Sequence, residues 1–171
     1  MLDKKIADLI NEQINKEMYS AYLYFDMSNY YKDEGLDGFA NWYDIQAKEE
    51  MDHALLFRQY LHNNGCSVIL KAIDKPDKTY TEYHHPLHAS LEHEIYVTTL
   101  IHKLYDEAYT VKDFRTMQFL DWFVKEQGEE EKNAEDLIKK FELFGKDAKS
   151  LYMLDNELAQ RVYTAPSLVL D

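Results

Sequence analysis

The sequence predicts an all-α protein: a four-helix bundle with a long crossover between helices two and three and a short fifth helix. Three observations carry this. Only five glycines and three prolines punctuate 171 residues, too few for many short strands. Four long segments repeat apolar residues at helical spacing. One stretch, residues 65–83, lacks that period and is long enough to run the length of a bundle. The reading is one domain over 1–171, with the bundle at about 3–145, the fifth helix at about 148–161 and a tail at 162–171.

The first helix is expected from Asp3 to Asp33, with the stripe Ile6, Ile10, Gln13, Glu17, Ser20, Tyr24, Met27, Tyr31, and Gly35 stops it. The second, about Asp37 to Asn63, carries Phe39, Tyr43, Gln46, Glu50, His53, Phe57 and Tyr60 on one face. Asn63-Asn64-Gly65 ends it with residues that tolerate left-handed backbone. In the aperiodic stretch, Ser67-Val68-Ile69-Leu70 reads as extended and Lys75-Pro76-Asp77-Lys78 as a turn. A helix of this length spans roughly 40 Å at 1.5 Å per residue. Residues 65–83, fully extended, reach roughly 60 Å. The crossover can therefore return to the starting end, which makes helices two and three parallel. The third helix starts near Pro86 and runs to about Thr110, with Leu87, Leu91, Glu94, Thr98, Ile101, Tyr105 and Ala108 facing inward. The fourth runs from about Asp113 to Gly145 with Leu120, Phe123, Gln127, Glu130, Ala134, Leu137, Phe141 and Phe144. The fifth is placed at Ala148 to Arg161. The tail contains Pro166, has no pattern, and is expected to be loose at its end.

Composition narrows the function. The net charge is 19 − 32 = −13, which argues against nucleic acid and anionic membranes and favours cations as partners. No apolar run is long enough to span a bilayer, and the N-terminal stretch reads as amphipathic helix rather than a signal sequence. The single Cys66 rules out a disulfide framework within one chain and a cysteine-built zinc or iron–sulfur site. A reducing cytoplasm is the expected location.

Each long stripe is broken by polar residues near its midpoint: Glu17, then Glu50 and His53, then Glu94, then Gln127 and Glu130. Midpoints of bundled helices meet at one height. A bare buried charge is costly unless it is paired or bound to metal, and four carboxylates with one imidazole in an apolar core call for divalent cations. Spacing sharpens this. Glu17 to Glu50 and Glu94 to Gln127 are both 33 residues apart, and adding 77 carries Glu17 to Glu94, Glu49 to Glu126, Glu50 to Gln127 and His53 to Glu130. The two helical hairpins are pseudo-repeats, close to the two-metal carboxylate pattern of helical bundles. Carboxylate and imidazole donors suit iron, manganese or zinc. Glu17, Glu50 and His53 form the fuller donor set, with Glu50 placed to bridge. Glu94 and Glu130 form a weaker second one, where Gln127 is either a ligand or a hydrogen-bond partner of the ligands. Glu49, Glu126, Glu129 and Glu130 suggest a third, outer site. Gly128, beside them, is costly inside a helix; it is expected to permit a close approach or a bend.

These residues resemble the non-haem bacterial and archaeal ferritins over almost the whole chain. The resemblance rests on Asn11 to Ser20 (NEQINKEMYS), Glu49 to His53 (EEMDH), His93-Glu94, and Phe119 to Glu131 (FLDWFVKEQGEEE). It implies a ferritin-like four-helix bundle and a hollow shell of 24 subunits. It also implies ferroxidase activity, in which Fe(II) is oxidised by O2 or H2O2 and stored as ferric mineral. By position, Glu17, Glu50 and His53 would hold the first iron, Glu94 and Glu130 the second with Gln127 nearby, and Glu49, Glu126, Glu129 and Glu130 the third. Tyr24, two turns after Glu17, matches a tyrosine that can supply an electron, and Trp122 a tryptophan near the site. Gly128 departs from a bulkier residue there.

Three other readings compete with this one. Met51 follows Glu50 where bacterioferritins place a haem ligand, but the second half lacks their Glu-x-x-His, so haem is disfavoured. A structural cage subunit with a weak centre is countered by the intact Glu17, Glu50, His53 and Glu94. A rubrerythrin-like peroxidase would need a Cys-x-x-Cys module that one cysteine cannot supply.

Overall fold

A computed structural model of the chain describes residues 2–170. Five helices form, and no strand is present among the described residues: α1 (Lys4–Asp33), α2 (Asp37–Asn63), α3 (His85–Thr110), α4 (Phe114–Phe144) and α5 (Ala148–Leu158). The helix ends follow local chemistry. Asp3 is the cap of α1 rather than its first residue, its Oδ1 accepting from the Lys5 amide at 2.8 Å. Asp113 caps α4 in the same way, taking the Thr116 amide at 3.1 Å. Gly35 and Gly65 have φ of +75° and +69°, the left-handed backbone that ends α1 and α2 without a Cβ clash.

Two aromatic-rich cores fill the bundle. One joins the end of α1, the start of α2 and the start of α3 to Leu137 and Ile138 of α4 and to α5. The other joins the start of α1, the end of α2, the end of α3 and the start of α4. The start of α2 therefore lies with the start of α3, so these helices run parallel, as the crossover length requires. Within the cores, Tyr31 stacks on Tyr43 at 5.7 Å and Phe57 on Phe123 at 4.2 Å.

The crossover, residues 64–84, makes no strand at Ser67–Leu70. It is clamped to α1 one group at a time. Asn11 donates to the Ser67 carbonyl at 3.2 Å and accepts from the Ile69 amide at 2.7 Å. Asn15 donates to the Ala72 carbonyl at 2.9 Å, and the Tyr31 hydroxyl to the Tyr83 carbonyl at 2.6 Å. Side chains thus satisfy backbone groups that a sheet would otherwise pair.

Three expectations are corrected. Phe144, placed on the buried stripe, is 48% exposed, because α4 has 31 residues against 26 in α3 and its last turn overhangs the core. The fifth helix ends at Leu158, not Arg161: the Asn41 side chain donates to the carbonyls of Leu158 and Arg161 at 3.2 and 3.1 Å and turns the chain there. The tail is docked along the bundle. Tyr163 donates to Asp52 at 2.5 Å, Trp122 Nε1 donates to Ser167 at 2.9 Å, and Leu168 and Leu170 pack on the second core.

The α5 helix docks through a contact the sequence does not advertise. Asp155 Oδ1 accepts from the amides of Gly38 and Phe39 at 2.8 and 3.0 Å, supplying the N-terminal cap that Leu36 cannot provide for α2. A Cβ at Gly38 would sit 1.7 Å from the Asp155 carbonyl oxygen, so only glycine permits this approach.

Candidate metal centre

Between the two apolar cores lies a polar layer in which Glu17, Glu50, His53, Glu94, Gln127 and Glu130 are all buried. Helical periodicity put them on the inward faces, and the midpoints meet as the sequence predicts. Ligand atoms of Glu17, Glu50 and His53 lie within 4.8 Å of one another. His53 Nδ1 is 3.4 Å from Glu50 Oε2. Glu17 Oε2, Glu50 Oε1 and His53 Nδ1 are buried without a hydrogen-bond partner. Buried polar atoms are rarely left so, and the three residues together offer donors that could hold a cation.

The second group is held differently. The Tyr24 hydroxyl donates to Glu94 Oε1. Gln127 Nε2 donates to Glu94 Oε2 at 3.1 Å, so this amide acts on the structure as a partner of Glu94. Gln46 Nε2 donates to Glu130 Oε2 at 2.9 Å. A cavity of about 10 Å³, near the size of one water, lies beside Glu94 and Glu130.

Burial favours the neutral carboxyl throughout this layer. Burial and then the Glu50 charge push Glu17 up to about 8. Burial and then Glu94 hold Glu50 well above the carboxylate range. Burial lifts Glu94 to about 7, against the hydrogen bonds from Tyr24 and Gln127, which lower it. Burial and then Glu94 raise Glu130 to about 8. Without a cation the layer therefore favours neutral carboxyls, and a bound cation would compete with their protons. Tyr24 is buried, and burial, followed by the charges of Glu94 and Glu50, raises its hydroxyl well above the usual range.

The outer acids Glu49, Glu126, Glu129 and Glu130 line one cleft of about 300 Å³ together with His53 and Trp122. They are not equivalent. Glu49 Oε2 is paired with Arg161 Nη2 at 2.7 Å. Glu126 is half-buried, and burial raises its pKa. Glu129 is exposed and lies 3.2 Å from Lys125. The expectation that Gly128 permits a close approach fails, since a Cβ there would meet nothing within 4 Å. Trp122 sits edge-on to His53 at 5.6 Å, and Met51 is 38% exposed on α2.

Two residues of the sequence stripes, Gln13 and Gln46, join the site in addition to the expected ones. Gln13 Nε2 donates to Glu17 Oε1 at 2.8 Å, and Gln46 to Glu130. The available signal was a repeated Gln-x-x-x-Glu, Gln13/Glu17 and Gln46/Glu50, which places an amide one turn before each acid. Arg161 lies past the end of α5, and no local sequence pattern links it to Glu49.

Comparison with known proteins gives the family of the chain. Residues 7–144 match the ferritin-like domain family. The bacterial non-heme ferritin of Bacteroides fragilis is 39% identical over 164 residues, covering 94% of this chain and 100% of the relative. That of Campylobacter jejuni is 37% identical over 155 residues, covering 91% and 93%. A closed form of the Archaeoglobus fulgidus ferritin, engineered by site-directed mutagenesis, superposes with a TM-score of 0.93 at 40% identity, covering 96% of this chain and 100% of that one. The open-pore ferritin from the same archaeon superposes with a TM-score of 0.91 over 94% and 98%. With its five-helix bundle and a buried Glu17, Glu50 and His53 donor set, the chain belongs to the ferritin-like domain family and, within it, to the non-heme ferritins of bacteria and archaea.

Proposed function

We propose that this protein stores iron and oxidises Fe(II) as a ferroxidase. The observation that carries the reading is the buried group of Glu17, Glu50 and His53, whose ligand atoms lie within 4.8 Å of one another and each of which keeps one polar atom without a hydrogen-bond partner. Fe(II) is the substrate, and O2 or H2O2 is the oxidant. Two Fe(II) ions give one electron each, so O2 and two protons yield H2O2 and two Fe(III).

The residues divide the work. Glu17, Glu50 and His53 bind one Fe(II), and Glu50 faces the second group, to which its charge couples through Glu94 and Glu130. Glu94 and Glu130 bind the other Fe(II), while Gln127 orients Glu94. Tyr24 donates to Glu94, so an electron leaving its ring can be accompanied by its proton moving to that carboxylate. The outer acids Glu49, Glu126, Glu129 and Glu130 form a third iron site on the way to mineral.

Assembly into a 24-subunit shell is part of the proposal. It is supported by the family and by large apolar side chains left exposed on the helices, among them Tyr22, Phe25, Leu55 and Ile95, which other copies of the chain would cover. No described helix is long and apolar enough to cross a membrane, and a cytoplasmic location is proposed. Anaerobic Fe(II) titration followed by O2 tests the centre. Glu50→Ala and His53→Ala are expected to oxidise iron far more slowly than the wild type; equal rates would remove the assignment.

A further inference from the structure

We propose that Arg161 is a resident cation of the outer carboxylate group, and that a metal ion fills this group only by displacing the guanidinium from Glu49. The inference rests on the ferroxidase reading and adds a residue that decides the order in which its sites fill.

Four contacts fix Arg161. Its Nη2 lies 2.7 Å from Glu49 Oε2. Its Nη1 donates to the Trp42 carbonyl at 3.2 Å. Its guanidinium lies over the Trp42 ring, 4.1 Å from the centroid. Its own carbonyl accepts from Asn41 at 3.1 Å. The side chains of Arg161 and Glu49 are each only 18% exposed, so solvent screens this pair far less than the surface pairs of the chain. By contrast, Lys125, which faces Glu129 in the same group, is 78% exposed.

The following residues build on this anchor. Thr164 to Ser167 form a wall of the cleft that holds Glu49, Glu126, Glu129 and Glu130, and Tyr163 and Ser167 tether that wall to Asp52 and Trp122. The cleft thus has acids on α2 and α4 and one fixed positive group on its third side. Four carboxylates against one guanidinium leave the cleft attractive to cations. A metal ion that uses Glu49 must nevertheless take it from Arg161, and the freed guanidinium then stands beside a like charge. The inner donors Glu17, Glu50 and His53 carry no such competitor, so they fill first.

The test is anaerobic calorimetric titration of metal-free, full-length protein with Zn(II), which is not oxidised. In wild-type protein two equivalents should bind tightly per chain and a third weakly. Arg161→Gln removes the charge but keeps an amide that can donate to Glu49, and it should tighten the third equivalent by at least about tenfold. Arg161→Lys should keep it weak. An unchanged third equivalent in Arg161→Gln overturns the role of Arg161 alone. Absence of the two tight equivalents in every protein overturns the ferroxidase reading and this inference with it. A second measurement needs no change at Arg161. In Trp122→Phe, where Trp42 is the sole tryptophan, the third equivalent of Zn(II) should shift Trp42 emission as the guanidinium leaves its ring. Emission that changes only with the first two equivalents counts against displacement.

Discussion

In the α1–α2 hairpin, Glu17, Glu50 and His53 each keep one buried polar atom without a hydrogen-bond partner, whereas in the α3–α4 hairpin the central acids Glu94 and Glu130 are held by Tyr24, Gln127 and Gln46. The two hairpins share the 33-residue spacing of their central residues, so the difference comes from the neighbours. Tyr24 and Gln46 of the first hairpin donate to Glu94 and Glu130 of the second. Adding 77 to each position gives 24 + 77 = 101 and 46 + 77 = 123, which are Ile101 and Phe123. Apolar side chains cannot return the hydrogen bonds. The first half is therefore left poised for a cation, and the second is satisfied by protein groups that a cation must rearrange.

The largest expected effect follows directly. His53→Ala should weaken the tightest divalent-metal equivalent by at least about 100-fold, since even groups that only orient a ligand are worth about 10–100-fold. Gln127→Ala, which touches Glu94 and none of Glu17, Glu50 and His53, should change the affinity of that tightest equivalent by less than about tenfold. Calorimetric Zn(II) titration compares them, and equal losses would erase the asymmetry.

Making the second half more like the first is the next step. Gln127→Glu adds a carboxylate where an amide now holds Glu94. The metal-free protein should melt at a lower temperature, because another acid is buried beside Glu94, while saturating Zn(II) should more than restore the loss. A variant whose melting does not respond more strongly to Zn(II) than the wild type would show that position 127 lies outside the metal's reach.

Acidity gives a third, smaller test. The unfolded glutamate value is about 4.3, whereas Glu17 and Glu130 stand at about 8 and Glu94 at about 7 in the folded chain. The folded state holds protons that the unfolded state has released, so this contribution is complete below about pH 4.3 and declines as pH rises through 7 to 8. Metal-free protein should lose thermal stability between pH 5 and 8.5 on this account. Glu17→Gln should flatten part of that slope, and metal loading most of it. The smallest effect belongs to Gly128, exposed on α4 with open space around it. Gly128→Ala should raise stability by about 0.5–1 kcal/mol in denaturant melts, by removing backbone freedom from the unfolded chain.

Much of this was legible because a long helix repeats its rule many times. A stripe of seven or eight inward positions tolerates one misread residue, so Glu17, Glu50, His53, Glu94 and Glu130 could be placed in the core from spacing alone. The overhang of Phe144 was not legible, because it depends on how far the neighbouring helices reach. The docked tail was not legible either: Tyr163 and Ser167 each find one partner on another helix, Arg161 finds its partners at Asn41, Trp42 and Glu49, and such isolated pairings leave no period. Gln127 shows the middle case. Its position was readable, but its role depends on whether Glu94 lies within reach of its nitrogen.

The Asp155 bond to the opening amides of α2 bears on how the chain reaches its native form. During synthesis α2 leaves the ribosome more than a hundred residues before the carboxylate that seals its first turn. Closing so long a loop is entropically expensive and comes late. The first turn of α2 is therefore capped only once the last helix is docked, and the same docking places Arg161, three residues past that helix, against Glu49.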